Sequence, residues 1–131
     1  FNHFARQTAR AAGYWPGPRF RFGGNEATRL VRDWSAQGLT GRYSAVGMAA
    51  DLEAGLAGVQ MPVLAINIAD DWYAPQRATD HLLAKMPRAA VTRERITPRD
   101  LGVKAVKHFG WQKHPAVVAP MISQWVRSAE D

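Results

Sequence analysis

The clearest apolar run in the chain is Pro62-Val63-Leu64-Ala65-Ile66-Asn67-Ile68-Ala69, with a single asparagine and no alternation of polar positions. A run of this length, rich in β-branched residues, predicts a strand covered on both faces, as in a parallel sheet. Ala90 to Ile96 predicts a second, weaker strand, and its Arg93, Glu94 and Arg95 point to a sheet edge. Between them Pro75 opens a helix, a place where its missing N–H costs nothing. Ala78, Leu82 and Met86 are expected on the buried side of that helix, and Pro87 ends it. Residues 97–114 read as a long loop. The last helix starts at Pro115 or Pro120 and runs to Arg127, apolar along Val117, Val118, Met121, Ile122, Trp125 and Val126.

Upstream, residues 2–12 read as helical until Gly13-Tyr14-Trp15-Pro16-Gly17-Pro18 stops them, and the following loop reaches Gly23-Gly24. Asn25 is a good N-cap for a helix whose Ala27, Leu30, Val31 and Trp34 share one face, with Gly38 as its C-terminal cap. A further helix is expected over residues 45–57, capped by Ser44, with Ala45, Ala49, Leu52 and Leu56 on one side. Gly47 and Gly55 weaken it by about 1 kcal/mol each relative to Ala.

The resulting order is helices, strand, helix, strand, loop, helix, an α/β arrangement in which a β-α-β unit implies a parallel pair with a right-handed crossover. It divides naturally into a helical segment, residues 1–58, and a β-α-β-α segment, residues 59–131. No apolar run approaches the roughly 18 residues that a membrane span needs. The absence of cysteine excludes disulfides, thiolate catalysis and cysteine-bound zinc, and is compatible with the expected cytoplasmic location. The net charge of +6 is uneven: residues 1–42 hold Arg6, Arg10, Arg19, Arg21, Arg29, Arg32 and Arg42 against Glu26 and Asp33. Such a stretch can meet nucleic acid. No arginine-glycine repeat, zinc-finger spacing or helix-turn-helix pattern accompanies it, so an arginine-rich solvated surface is the preferred reading and a nucleic-acid module the least favoured one.

Functional groups of open α/β sheets gather at the carboxyl ends of the strands. Asp70 and Asp71 follow the first strand directly, and His108 follows the second after a loop. By themselves, an Asp-Asp pair after a strand is ordinarily a solvated turn and a loop histidine is ordinarily structural. Together they supply the acid and base of a Ser-His-Asp triad, in the chain order acid then histidine found in α/β-hydrolases. No His-x₃-His or paired-carboxylate frame points to a metal.

Asp70-Asp71-Trp72-Tyr73-Ala74-Pro75 after its strand resembles the acid loop of the α/β-hydrolase superfamily, and Ile96-Thr97-Pro98 with Val106-Lys107-His108-Phe109-Gly110-Trp111 resembles its histidine loop. Gly13-Tyr14-Trp15-Pro16-Gly17 and Arg32-Asp33-Trp34 are similar to the lid region of a group of bacterial predicted α/β-hydrolases. The resemblance covers about residues 10–127. It implies a partial α/β-hydrolase fold: a helical lid segment followed by the last β-α-β-α of a parallel sheet. Because the family's acid precedes a proline by four residues, it favours Asp71 over Asp70. It implies Asp71 and His108 as catalytic residues, Trp72 and Trp111 as the walls of an acyl or alkyl pocket, no cofactor, and a small-molecule ester as substrate.

Two departures stand out. None of Ser35, Ser44, Ser123 and Ser128 lies in a G-x-S-x-G frame, so the chain is expected to be the C-terminal portion of a longer hydrolase and inactive alone. Lys107 stands where the family more often has glycine, and would oppose protonation of His108 if it pointed inward. The competing expectation is a non-catalytic half-domain that forms a homodimer through an exposed sheet edge.

Overall fold

In the computed structural model, which describes residues 1–130, the chain is a mixed α/β structure in two units, Phe1–Gly55 and Leu56–Asp131. The division falls between Gly55 and Leu56, where the sequence pattern placed it after residue 58.

In the first unit, α1 (Asn2–Ala12) packs on α3 (Thr28–Thr40) through small residues. Ala5 and Ala9 are buried with Trp15 and Val31, and Thr28 Oγ1 donates to the Ala9 carbonyl at 3.0 Å. The Gly-Pro-rich stretch expected as plain loop is more ordered than that. β1 (Tyr14–Pro16) pairs antiparallel with β2 (Asn25–Ala27), and the single turn of α2 (Gly17–Phe20) lies between them. Trp15 Nε1–H anchors this loop on the Phe22 carbonyl at 2.9 Å. A side chain on Gly17 would run into the carbonyls of Phe22, Gly23 and Gly24. Asn25 is therefore in a strand, and the residue that leads into α3 is Ala27, in extended conformation. Gly38 does not end α3 either. It sits against the side-chain amide of Asn2, where a Cβ would collide. The helix ends at Gly41, whose φ of 67° places it in the left-handed region with its N–H on the Gln37 carbonyl. The helix expected over 45–57 is confined to α4 (Leu52–Ala57), whose last two residues already belong to the second unit, because Gly47 (φ 82°) holds a turn before it. Asp51 rather than Ser44 caps it, accepting the Ala54 N–H at 3.1 Å.

In the second unit, β3 (Pro62–Ile68) and β4 (Ala90–Ile96) run parallel, in register from Pro62 opposite Ala90 to Ile68 opposite Ile96. The intervening segment carries α5 (Gln76–Leu83). Alternate residues of β3 face opposite layers. Ala65, with Val63 beside it, packs with Leu83 and Met86. Ile66 and Ile68 pack with Ile96, Leu101, Val106 and Val118, the last from α6 (Pro115–Glu130). β3 is thus covered on both faces, whereas β4 is exposed except at Ile96. The inward stripe of α5 differs from the expected one. Ala78 is exposed, and Thr79, Leu82 and Leu83 turn inward. The helix stops at Leu83, and Met86 is buried from the turn beyond it. α6 begins at Pro115 and continues through Pro120. Two positions of its expected apolar face, Ile122 and Val126, are exposed. Among the described residues, no helix is long and apolar enough to cross a membrane.

Candidate functional site

The carboxyl ends of β3 and β4 lie side by side because the strands are in register, and the ladder extends one step further: Ala69 N–H donates to the Ile96 carbonyl at 2.8 Å. The chain then turns sharply. Asp70 takes a φ of 62°, a left-handed conformation that Asp tolerates better than most residues. Its side chain is exposed. That turn drives Asp71 inward, where its side chain is only 2% exposed.

Asp71 is fully engaged. Oδ1 accepts the main-chain N–H of Tyr73 at 2.9 Å and of Ala74 at 3.2 Å, an Asx-turn that leads the chain toward Pro75 and α5. Oδ2 meets His108 Nδ1 at 2.6 Å. Burial pushes the carboxyl upward, but the His108 bond, the two amides and the imidazole charge outweigh it and hold the group below its ordinary value. Asp71 is therefore an anion in a buried place, and its bond to Nδ1 orients the ring and leaves Nε2 as the free nitrogen. No other hydrogen bond engages His108 among the described residues. Its ring contacts Tyr73, stacked at 5.5 Å and 24°, and Phe109, edge-on at 4.5 Å.

His108 is carried by the loop after β4. Val106, two residues before it, is buried in the core shared with Ile96 and Val118. Gly110 N–H closes a turn on the Lys107 carbonyl at 2.7 Å and leads into a short 3₁₀ segment, Gly110–Lys113. Lys107 itself is exposed.

Next to the pair lies a cavity of about 160 Å³ lined by Ile66, Asn67, Ile68, Asp71, Thr79, His108, Trp111 and Ile122, among others. It takes residues from both faces of β3 and none from β4. Trp111 lines it. Trp72 does not: that ring is 78% exposed and rests on Tyr73 at 4.1 Å. Of the residues singled out in the sequence, the fold thus brings Asp71, His108 and Trp111 together and leaves Asp70 and Trp72 outside the cavity. Tyr73, Asn67 and Thr79 escaped sequence reasoning. Asn67 was visible as the polar interruption of an apolar strand; its Nδ2 donates to Thr79 Oγ1 at 2.7 Å. No serine lines the cavity. Ser35 is buried in the first unit, and Ser128 donates to the Trp125 carbonyl. Among the described residues, no group of three or more His, Asp or Glu side chains is placed to hold a metal ion.

No family model, curated protein or solved structure matches the chain.

Proposed function

We propose that the second unit supplies the acid–base half of a serine-type α/β-hydrolase acting on small-molecule esters, with the first unit as its lid segment. The observation that carries this reading is the 2.6 Å contact of Asp71 with His108 Nδ1 beside an apolar cavity at the carboxyl ends of two parallel strands. In the proposed reaction a serine from outside these residues attacks the ester carbonyl and gives its proton to His108 Nε2. The imidazolium, stabilised by Asp71, returns that proton to the leaving alkoxide. Water then cleaves the acyl-enzyme by the same route. Trp111, Ile66 and Ile122 would receive a short acyl group.

The test is expression of the complete open reading frame that contains these codons, assayed on p-nitrophenyl acetate and butyrate. His108→Ala should lower kcat by at least about a thousandfold. Equal activity of the variant would sink the proposal. The 131-residue chain itself should show no burst of nitrophenol.

A second reading rests on the open edge of β3. A two-stranded sheet is marginal by itself, and that edge leaves main-chain groups for another strand. A second copy pairing there would give a non-catalytic dimer. Light scattering after size exclusion decides it: a monomer of 14.5 kDa at every concentration removes this reading.

A further inference from the structure

Tyr73 touches both members of the Asp71–His108 pair through different atoms. Its main-chain N–H donates to Asp71 Oδ1, while its ring lies nearly parallel to the imidazole. This matters because a single hydrogen bond does not fix a planar ring. The imidazole can swing about the line from Nδ1 to Oδ2, and with a side chain 34% exposed it has room to do so. One ring stacked on the imidazole and a second set against it edge-on restrict that freedom. A ring centroid at 5.5 Å and 24° is offset-stacking geometry, and Phe109 adds an edge-to-face contact at 73°. Trp72, placed outside the cavity, contacts the Tyr73 ring at 4.1 Å. Partial burial raises the Tyr73 phenol above its ordinary value.

We infer that Tyr73 is a positioning residue: its amide holds the Asp71 carboxylate while its ring holds the His108 imidazole in the orientation that directs Nδ1 to Asp71 and presents Nε2. The catalytic meaning of this role rests on the proposed triad. The positioning itself does not, and it is measurable without turnover.

The experiment is NMR of ¹⁵N-labelled histidine in the 131-residue chain at a pH where the imidazole is neutral. Unmutated chain should show the Nδ1–H tautomer of His108, contacts from its ring protons to the Tyr73 ring, and upfield ring-current shifts. Tyr73→Phe should retain all three. Tyr73→Leu should remove the Tyr73 share of the ring-current shifts, leaving that of Phe109, and lower the Nδ1–H to Nε2–H ratio by up to about tenfold, the ceiling that loss of one aromatic pair corresponds to. An unchanged ratio in Tyr73→Leu, or Tyr73→Phe behaving like Tyr73→Leu, overturns the inference. So does the absence of His108–Tyr73 ring contacts in the unmutated chain, a result independent of whether any variant folds. If the tautomer follows Tyr73 while the complete reading frame shows no His108-dependent hydrolysis, the hydrolase proposal fails and the positioning role stands. The reverse pattern removes Tyr73 and leaves the hydrolase.

Discussion

Asp71→Asn is the most informative single change, because the two oxygens of Asp71 have different partners. Oδ1 serves the amides of Tyr73 and Ala74 and must remain an oxygen, which places the new amide nitrogen where Oδ2 was, facing His108 Nδ1. That nitrogen only donates, so Nδ1 must accept and the ring proton moves to Nε2. The Asx-turn survives, while a charge-assisted bond becomes a neutral one. Bonds to charged groups contribute about 1.5–3 kcal/mol and neutral ones about 0.5–1.5. With His108 one-third exposed, the lower values apply, so the second unit should lose about 1 kcal/mol, or about 4–8 °C in Tm for a unit of this size. The pH dependence gives a sharper check. The folded-state pKa of Asp71 lies below its unfolded value, so its stabilisation is present above the unfolded value of about 3.9 and is lost as pH falls through the lower folded value. Urea unfolding of both forms, followed on β3 and β4 amide signals, should give a gap of about 1 kcal/mol at pH 7 that narrows below about pH 4. A gap of constant size down to the lowest pH at which both forms fold, or no gap at pH 7, would refute this account of the site.

Asp70→Asn should leave the His108 tautomer and the stability of the second unit within about 0.5 kcal/mol of the original, since its side chain is exposed and asparagine also tolerates the left-handed conformation; a His108 shift like that of Asp71→Asn would mean the wrong aspartate had been chosen. Ile96→Ala removes a side chain only 1% exposed at the junction of β4, α6 and the histidine loop. It should cost about 2–5 kcal/mol by denaturant titration, and a loss under 1 kcal/mol would contradict the packing described. Gly17→Ala should unfold β1 and β2 because three backbone carbonyls occupy the space of the new methyl group; an unchanged ring-current pattern for Trp15 would show that the turn gives way instead. Arg93→Ala breaks an exposed ion pair with Asp80 and should change stability by less than about 1 kcal/mol, less still in high salt.

The second unit was legible in the sequence where burial is continuous and punctuation is strong. The run from Pro62 has one meaning, and the expected bounds of β4, Ala90 to Ile96, are those of the folded strand. Pro75 marks where α5 begins, though as the extended residue before Gln76 and not as the first helical one, and the inward stripe shifted from Ala78 to Thr79, because helix phase depends on what β3 offers and Asn67 offers a hydrogen bond. The first unit was harder, since its elements are set by contacts between distant residues. Nothing near Asn25 announces that it will pair with Pro16. Gly38 carries the local signal of a helix end but is a contact point for Asn2, and Gly41 carries the same signal and is the end. The Asp71–His108 contact was anticipated from strand order and resemblance. Tyr73 was missed because its role combines a backbone and a ring contact, which residue types alone do not reveal.

Asp71 and His108 stand 37 residues apart in the chain, and the route between them passes through α5 and the pairing of two parallel strands. That separation has a kinetic consequence. Closing so long a loop costs entropy that is recovered only once β3 and β4 are in register, whereas helices form from neighbours within microseconds. A refolding chain should therefore gain helical signal early and acquire its acid–base pair last. Conditions that slow strand pairing would accumulate a helical form with no such pair.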